Sequence, residues 1–128
     1  MIIKIQEAIA FENFAQKVLV LKAPLEISYK IAKIRKQLQD DIEFYNSEFE
    51  KILKEFGQKN DDETYKFSED GTMILIDPDR IEECQENVNR LQNMEIKVNI
   101  ESYLLKIEDF KSVEIDGIDM LNLIVFFE

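Results

Sequence analysis

The chain has 128 residues, 45% of them hydrophobic, and its 16 basic and 27 acidic side chains give a formal net charge of −11. This length and apolar content suit one modest core, so we expect a single domain over residues 1–128. Because an acidic surface repels phosphate backbones, the charge argues against direct binding to DNA or RNA. The single cysteine excludes a disulfide-rich secreted scaffold.

The apolar runs of the chain are short. The longest, such as residues 123–127, fall far below the roughly 20 residues that a membrane helix requires. The first ten residues include Glu7 and lack a basic region followed by a sustained apolar run, so we expect no signal peptide there. We therefore expect a cytoplasmic protein with no membrane partner.

The chain is predicted to begin with a strand and a helix. Three isoleucines suit a short strand over residues 1–5. An apolar stripe with helical spacing then predicts a helix over residues 6–21. Pro24 marks a joint to the next helix, because proline lacks the N–H group that a continuing helix requires.

The longest predicted element is a helix over residues 28–57. It starts either at Pro24, as its first residue, or at Ser28 as a side-chain cap, and we favour Ser28. Gly57 is expected to end it in the left-handed conformation. The helical period comes from apolar side chains three or four residues apart, namely Ile31, Ile34, Leu38, Ile42, Tyr45, Phe49, Ile52 and Phe56.

The charges of this helix are polarised, since basic residues between positions 30 and 36 precede acidic residues between positions 40 and 50. A second copy laid antiparallel would place basic segments on acidic ones, so we hypothesise an antiparallel homodimer along the helix. In the alternative, the apolar stripe packs against the chain's own helix over residues 6–21. The predicted interface comprises Ile31, Ile34, Leu38, Ile42, Tyr45, Phe49 and Ile52.

A hairpin and a helix are predicted to follow. The dipeptide Asp70-Gly71 stands between β-prone segments, which predicts a hairpin over residues 64–76. Asp77 is expected to cap the next helix, with Pro78 at its first position. The buried stripe of this helix is expected to comprise Ile81, Cys84, Val88 and Leu91.

The last third of the chain is predicted to add two strands and a final helix. Alternating apolar residues predict a strand over residues 95–100, and a second strand is expected over residues 103–107. Residues 117–127 fit either a hairpin strand or a helix, and we favour a helix from Gly117. The predicted fold is α+β, with one long central helix, two or three shorter helices and a small antiparallel sheet.

The sequence lacks the usual catalytic groups. It contains no histidine, which removes the commonest general base and the commonest ligand of transition metals. Cys84 lies on a helical stripe and is expected in the core. The three glycines suit helix ends and turns and do not form a phosphate-binding loop. We therefore expect no enzymatic activity, no cofactor and no metal site.

One group of side chains suits the binding of a small anion. The start of the long helix combines an aromatic ring with four cations, and such a group can hold a small nucleotide by stacking and charge. The alternative is that these cations pair with the acidic excess of the chain. The candidate residues are Tyr29, Lys30, Lys33, Arg35 and Lys36.

The two segments at the ends of the long helix are similar to segments of known proteins. Residues 23–34 read Ala-Pro-Leu-Glu-Ile-Ser-Tyr-Lys-Ile-Ala-Lys-Ile, and residues 54–61 read Lys-Glu-Phe-Gly-Gln-Lys-Asn-Asp. Together with the strand-like Glu-Ile-Lys-Val-Asn at residues 95–99, they resemble a family of small uncharacterised proteins from phages and prophages of Gram-positive bacteria. The similarity covers most of the length and brings no known activity or functional residue with it.

The resemblance implies a phage accessory protein that acts in the cytoplasm of the host cell. Small acidic phage proteins without enzymatic activity often act by occupying host machinery. We hypothesise a binding protein that inhibits a host defence or regulatory factor, either by binding a protein or by sequestering a signal nucleotide. The alternative is a component or chaperone of virion assembly, for the head or the tail.

Overall fold

The structure is a computed structural model, and it describes residues 1–20, 23–110 and 121–128. Within these residues it contains three α-helices, namely α1 (Ile5–Val20), α2 (Leu25–Phe56) and α3 (Ile81–Gln92). In this part of the chain, no helix is both long enough and apolar enough to cross a membrane.

A two-stranded antiparallel sheet joins β1 (Ile2–Lys4) to β2 (Glu95–Lys97). The α+β class, the long helix and the small antiparallel sheet agree with the fold predicted from the sequence. The chain divides into two compact units, called here unit 1 (residues 1–43 and 94–128) and unit 2 (residues 44–93). The division falls inside α2, and the single domain over residues 1–128 stays a prediction.

Unit 1 contains the sheet and most of the buried aromatic side chains. Ile3 lies opposite Ile96 in the antiparallel register, and both side chains are buried. On α1, Phe11 and Phe14 are three residues apart and therefore share the buried face of the helix. The ring centroid of Phe11 lies 4.5 Å from that of Phe126, which brings the end of the chain into this core.

Helix α2 begins earlier than the favoured prediction. Its first residue is Leu25, and the Ser28 amide donates to the Pro24 carbonyl at 3.1 Å, which is the first hydrogen bond of the helix. Ser28 is therefore an internal residue and not the cap. The fixed φ of proline suits a helix start, and Pro24 has no N–H that would need a partner there.

In unit 2, three extended segments bond to one another in a closed cycle. The Gln58 amide donates to the Leu75 carbonyl at 2.7 Å, and the Leu75 amide donates to the Lys66 carbonyl at 2.9 Å. The Lys66 amide in turn donates to the Gln58 carbonyl at 2.8 Å. Each segment thus bonds to both of the others, through single bridges and not through long ladders.

The predicted hairpin is one side of this cycle. Phe67 lies opposite Ile74, and the Ser68 amide donates to the Met73 carbonyl at 2.8 Å. Gly71 adopts a φ of 73° in the turn, a left-handed conformation that glycine reaches without strain. The hairpin prediction from Asp70-Gly71 is therefore confirmed.

Gly57 follows the last residue of α2, but the expected left-handed conformation is wrong. Among the described residues, Gly71 is the glycine with a positive φ. At Gly57 a Cβ atom would lie 2.8 Å from Ile74 Cγ2, from Tyr65 Cδ1 and from the Leu53 carbonyl oxygen. The position requires glycine because neighbouring atoms fill the space of a side chain.

The predicted cap lies before a 3₁₀ turn, and α3 itself begins three residues after Pro78, at Ile81. The Asp77 carboxylate accepts from the Asp79 amide at 3.0 Å, and Pro78 opens a 3₁₀ turn that leads into the helix. Cys84 and Leu91 are buried as expected. Ile81 is 44% exposed, so its place on the buried stripe is wrong, because it lies at the first position of the helix, beside the turn.

The expected strand over residues 103–107 is wrong. Two 3₁₀ turns, Glu101–Tyr103 and Ile107–Phe110, take up the two ends of this segment, and between them Leu105 forms a single parallel bridge with Phe127. The Asp109 carboxylate accepts from the Lys106 amide at 3.0 Å and so favours the second turn over an extended chain.

The predicted helix from Gly117 falls largely outside the described residues. Residues 121 and 122 are helical, and a 3₁₀ turn, Ile124–Phe126, follows them.

Candidate functional site

The predicted anion-binding residues do not form one free basic patch, because two of the four cations pair with carboxylates of the chain. Lys30 Nζ lies 3.2 Å from Asp109 Oδ2, and both side chains are about one-quarter exposed. Arg35 pairs with Glu12 of α1. For Lys30 and Arg35, the alternative prediction that the cations pair with acidic residues of the chain is therefore confirmed.

The Arg35 guanidinium and the Glu12 carboxylate form a two-point contact. Arg35 Nε donates to Glu12 Oε2 at 2.9 Å, and Arg35 Nη2 donates to Oε1 at 2.5 Å. The hydrogen bond from Arg35 lowers the pKa of Glu12, and the same bond raises the pKa of Arg35. This geometry uses both oxygens of the carboxylate and fixes the direction of the guanidinium.

Lys33 lies beside two aromatic rings. Its Nζ is 5.5 Å from the ring centroid of Tyr29 and 6.0 Å from that of Tyr103. The two rings meet edge to face, with centroids 6.3 Å apart and an interplanar angle of 73°. Within the described part of the chain, no carboxylate lies within ion-pair distance of Lys33. Its charge is therefore available to a ligand.

Two elements bring this aromatic and cationic group together. Tyr29 and Lys33 are one turn apart on α2, so their side chains meet on one face. Tyr103 ends the turn Glu101–Tyr103, which is closed by a hydrogen bond from the Tyr103 amide to the Ile100 carbonyl at 2.8 Å. Tyr29 is 55% exposed and Tyr103 is half-buried, so part of each ring faces solvent.

Lys36 borders a concavity of about 430 Å³ in unit 1. Arg35 and Glu12 line one part of it, and Gln39 and Glu43 line another. Lys36 is exposed, and among the described residues no carboxylate lies within ion-pair distance of it. Of the four predicted cations, Lys33 and Lys36 are therefore the two that can bind an anion without breaking an ion pair of the described chain.

No sequence pattern predicts that Tyr103 belongs to this group, because its segment is predicted to be a strand. Tyr103 is 74 positions away from Tyr29 in the chain, and only the folding of unit 1 places the two rings together. A tyrosine followed by Leu104 and Leu105 suits a strand and carries no local signal of such a contact. Tyr29 and Lys33 are predicted from the sequence because an aromatic ring stands beside several cations at the start of the long helix.

The residues of the predicted interface fall into two groups. Ile31, Ile34 and Leu38 have no exposed surface and belong to the core of the chain. A side chain without accessible surface cannot add contact area to a partner, so these three do not form a free interface. The half-exposed members of the predicted set are Ile42 of unit 1 and Tyr45, Phe49 and Ile52 of unit 2.

The described part of the chain contains neither an exposed thiol nor a metal-binding cluster. Cys84 is buried, and burial raises the pKa of its thiol, which disfavours the reactive thiolate. Among the residues that the structure describes, no three Cys, Asp or Glu side chains are grouped to hold a metal ion.

Comparison with models of protein families, with curated proteins and with solved structures finds no match to this chain. Its function has to be inferred from its own side chains.

Proposed function

We propose that this chain is a non-enzymatic accessory binding protein of a phage or prophage. It inhibits a host defence or regulatory factor, by sequestering a signal nucleotide or by binding the factor itself. The observation that carries the nucleotide route is the contact of Lys33 with the rings of Tyr29 and Tyr103. The resemblance of residues 23–34 and 54–61 to phage proteins supports the origin.

The aromatic and cationic group matches the two parts of a nucleotide. Stacking of a base on an aromatic ring contributes about 1–3 kcal/mol. An ammonium group beside the ring neutralises the charge of a phosphate. Lys33 can do so because it forms no ion pair with a carboxylate among the described residues. Both interactions are non-covalent, as sequestration of a ligand that is released unchanged requires.

The net charge of −11 does not prevent binding of a small anion. Exposed charges more than about 8 Å apart are largely screened at physiological ionic strength. A mononucleotide that touches Lys33 therefore experiences mainly the local cation. A long nucleic acid would also meet the acidic remainder of the surface, which is consistent with the expectation that DNA and RNA do not bind.

Isothermal titration calorimetry with nucleosides, mononucleotides and cyclic dinucleotides tests the nucleotide route. We expect saturable binding, with the nucleotide recovered unchanged by chromatography. Lys33→Ala and Tyr103→Ala should each weaken binding about tenfold, whereas Lys51→Ala, an exposed lysine of α2 in unit 2, should bind like the wild type. Equal affinity of Lys33→Ala and the wild type would contradict the assignment.

A second candidate function, in virion assembly, is supported by the apolar surface of unit 2. Its hairpin exposes Phe67 by 54% and Met73 by 60%, and Phe44 on α2 is 46% exposed. Such side chains suit contact with another protein. Purification from infected cells separates the two functions, because an assembly factor should retain head or tail proteins and a defence inhibitor should retain a host protein or a nucleotide.

We further propose that two copies pair along α2 as an antiparallel homodimer. The side chains that support this pairing are Tyr45, Phe49 and Ile52, which are half-exposed and share one helical face. The rings of Tyr45 and Phe49 stack with centroids 5.8 Å apart and planes 9° apart, so this face carries two adjacent aromatic side chains.

A further inference from the structure

We infer that the ligand of the Tyr29, Lys33 and Tyr103 group is a nucleoside diphosphate laid along α2, with its second phosphate at Lys36. This inference rests on the proposed nucleotide-binding function and names the ligand class and its direction. The base lies against the two tyrosines, the first phosphate meets Lys33, and the second meets Lys36. A nucleotide in which two phosphates are linked in this way fits the spacing of the cations.

The direction in which the nucleotide lies along α2 follows from the geometry of the helix. Tyr29, Lys33 and Lys36 stand at positions i, i+4 and i+7 of α2 and so share one face. At 1.5 Å per residue, Lys36 lies roughly 10 Å along the axis from Tyr29, with Lys33 between them. An extended nucleoside diphosphate places its base and its two phosphates in the same order along a similar length.

The other two cations of the segment are not available to the second phosphate. Lys30 is held by Asp109 at 3.2 Å, and Arg35 uses Nε and Nη2 to bind both oxygens of Glu12. A phosphate at either site would have to displace a carboxylate of the chain. Lys36 needs no such displacement, because no described carboxylate lies within ion-pair distance of it.

Acidic side chains limit the length of the ligand. Asp40 and Glu43 follow at positions i+11 and i+14 from Tyr29, on the same face of α2. Asp41 stands beside Asp40, and burial, followed by the charge of Asp40, raises its pKa, so this stretch of the helix is crowded with carboxyl groups. A longer phosphate chain or an oligonucleotide continuing in this direction would be repelled.

Calorimetric titrations with adenosine, AMP and ADP, and with the guanosine series, test the inference on the full chain. We expect the diphosphate to bind about tenfold more tightly than the monophosphate. Lys36→Ala should remove this difference and leave the affinity for the monophosphate unchanged. Lys33→Ala should weaken both nucleotides, and Lys51→Ala is the matched control on the same helix.

A spectroscopic readout locates the second phosphate. The ³¹P resonance of the β-phosphate of ADP should shift and broaden with the wild type and with Lys51→Ala, but not with Lys36→Ala. Equal binding of AMP and ADP, or equal loss of both in Lys36→Ala, would overturn this inference and leave the proposed function standing. Failure of every nucleotide to bind would overturn this inference and the nucleotide route together.

Discussion

The contact between Glu12 and Arg35 joins two helices through side chains that are 23 residues apart in the chain. Glu12 is 19% exposed and Arg35 is 35% exposed, so solvent screens the pair in part. The contribution of such a pair to stability is therefore modest, about 1 kcal/mol. Its dependence on pH follows from the lowered pKa of Glu12.

We predict that Glu12→Gln lowers the free energy of unfolding at about pH 7 and that this deficit is smaller at about pH 3. A carboxyl whose pKa is lowered by folding stabilises the protein above its unfolded pKa, ordinarily 4.5, and this contribution is lost as the pH falls through the folded value. Urea denaturation at both pH values measures the difference.

The control for this experiment is Glu86→Gln, an exposed residue of α3 that makes no charged contact among the described residues. It should leave the free energy of unfolding within about 0.5 kcal/mol of the wild type at both pH values. A deficit in Glu12→Gln that is equally large at low pH would show that the pair stabilises through packing and not through charge.

At the scale of the element, the end of α2 is fixed by close packing around Gly57. Three atoms would lie 2.8 Å from a Cβ at this position, and one of them, the Leu53 carbonyl oxygen, belongs to the backbone. A backbone atom cannot rotate away as the end of a side chain can. The residue after the helix is therefore restricted by its neighbours, whatever its own φ.

We predict that Gly57→Ala destabilises the protein by about 2 kcal/mol, because the added methyl group overpacks this contact. Gly71→Asn is the comparison, since Gly71 has a φ of 73° and nothing within 4 Å of a Cβ, and asparagine tolerates the left-handed conformation. It should cost less than about 1 kcal/mol. Thermal and chemical denaturation measure both, and a reversed order would refute the packing explanation.

The elements predicted correctly are those with local signals. Asp77 with Pro78 and Asp70 with Gly71 each combine a cap or a turn residue with a backbone conformation that few other residues favour. The strand expected over residues 103–107 was wrong because one side-chain hydrogen bond, from the Lys106 amide to Asp109, overrides the β propensity of the segment.

The candidate site could be predicted only in part. The composition of the helix start identified Tyr29 and Lys33 from the sequence, because an aromatic ring stands beside four cations there. The partners of the other cations lie far away in the chain: Lys30 bonds Asp109 across 79 positions. The spacing of residues along the sequence does not indicate such a distant contact. Only the structure therefore shows which cations form ion pairs and which do not.

At the scale of the whole molecule, we predict that the chain has twice the mass of one copy by light scattering at about 100 μM. Phe49→Glu should shift it to the monomer, because a carboxylate would be desolvated at the centre of the apolar face. Phe67→Glu, on the exposed hairpin, is the control and should stay dimeric.

A folded Phe49→Glu monomer, verified by circular dichroism, would support the interface. A monomeric wild type at that concentration would refute the dimer. A Phe49→Glu variant that remains dimeric would show that the two copies associate through another surface. Because Ile31, Ile34 and Leu38 are buried in the chain, substitutions there should lower stability in either case.

The closed cycle of hydrogen bonds among Gln58, Lys66 and Leu75 implies that the three segments open together. Release of any one segment breaks two of the three bonds, so no segment can detach without exposing the amide of another. In hydrogen exchange, these three amides should share one opening free energy and differ in protection by no more than about threefold. The Gly71 amide, bonded to Ser68 in the turn, should exchange independently of them and faster.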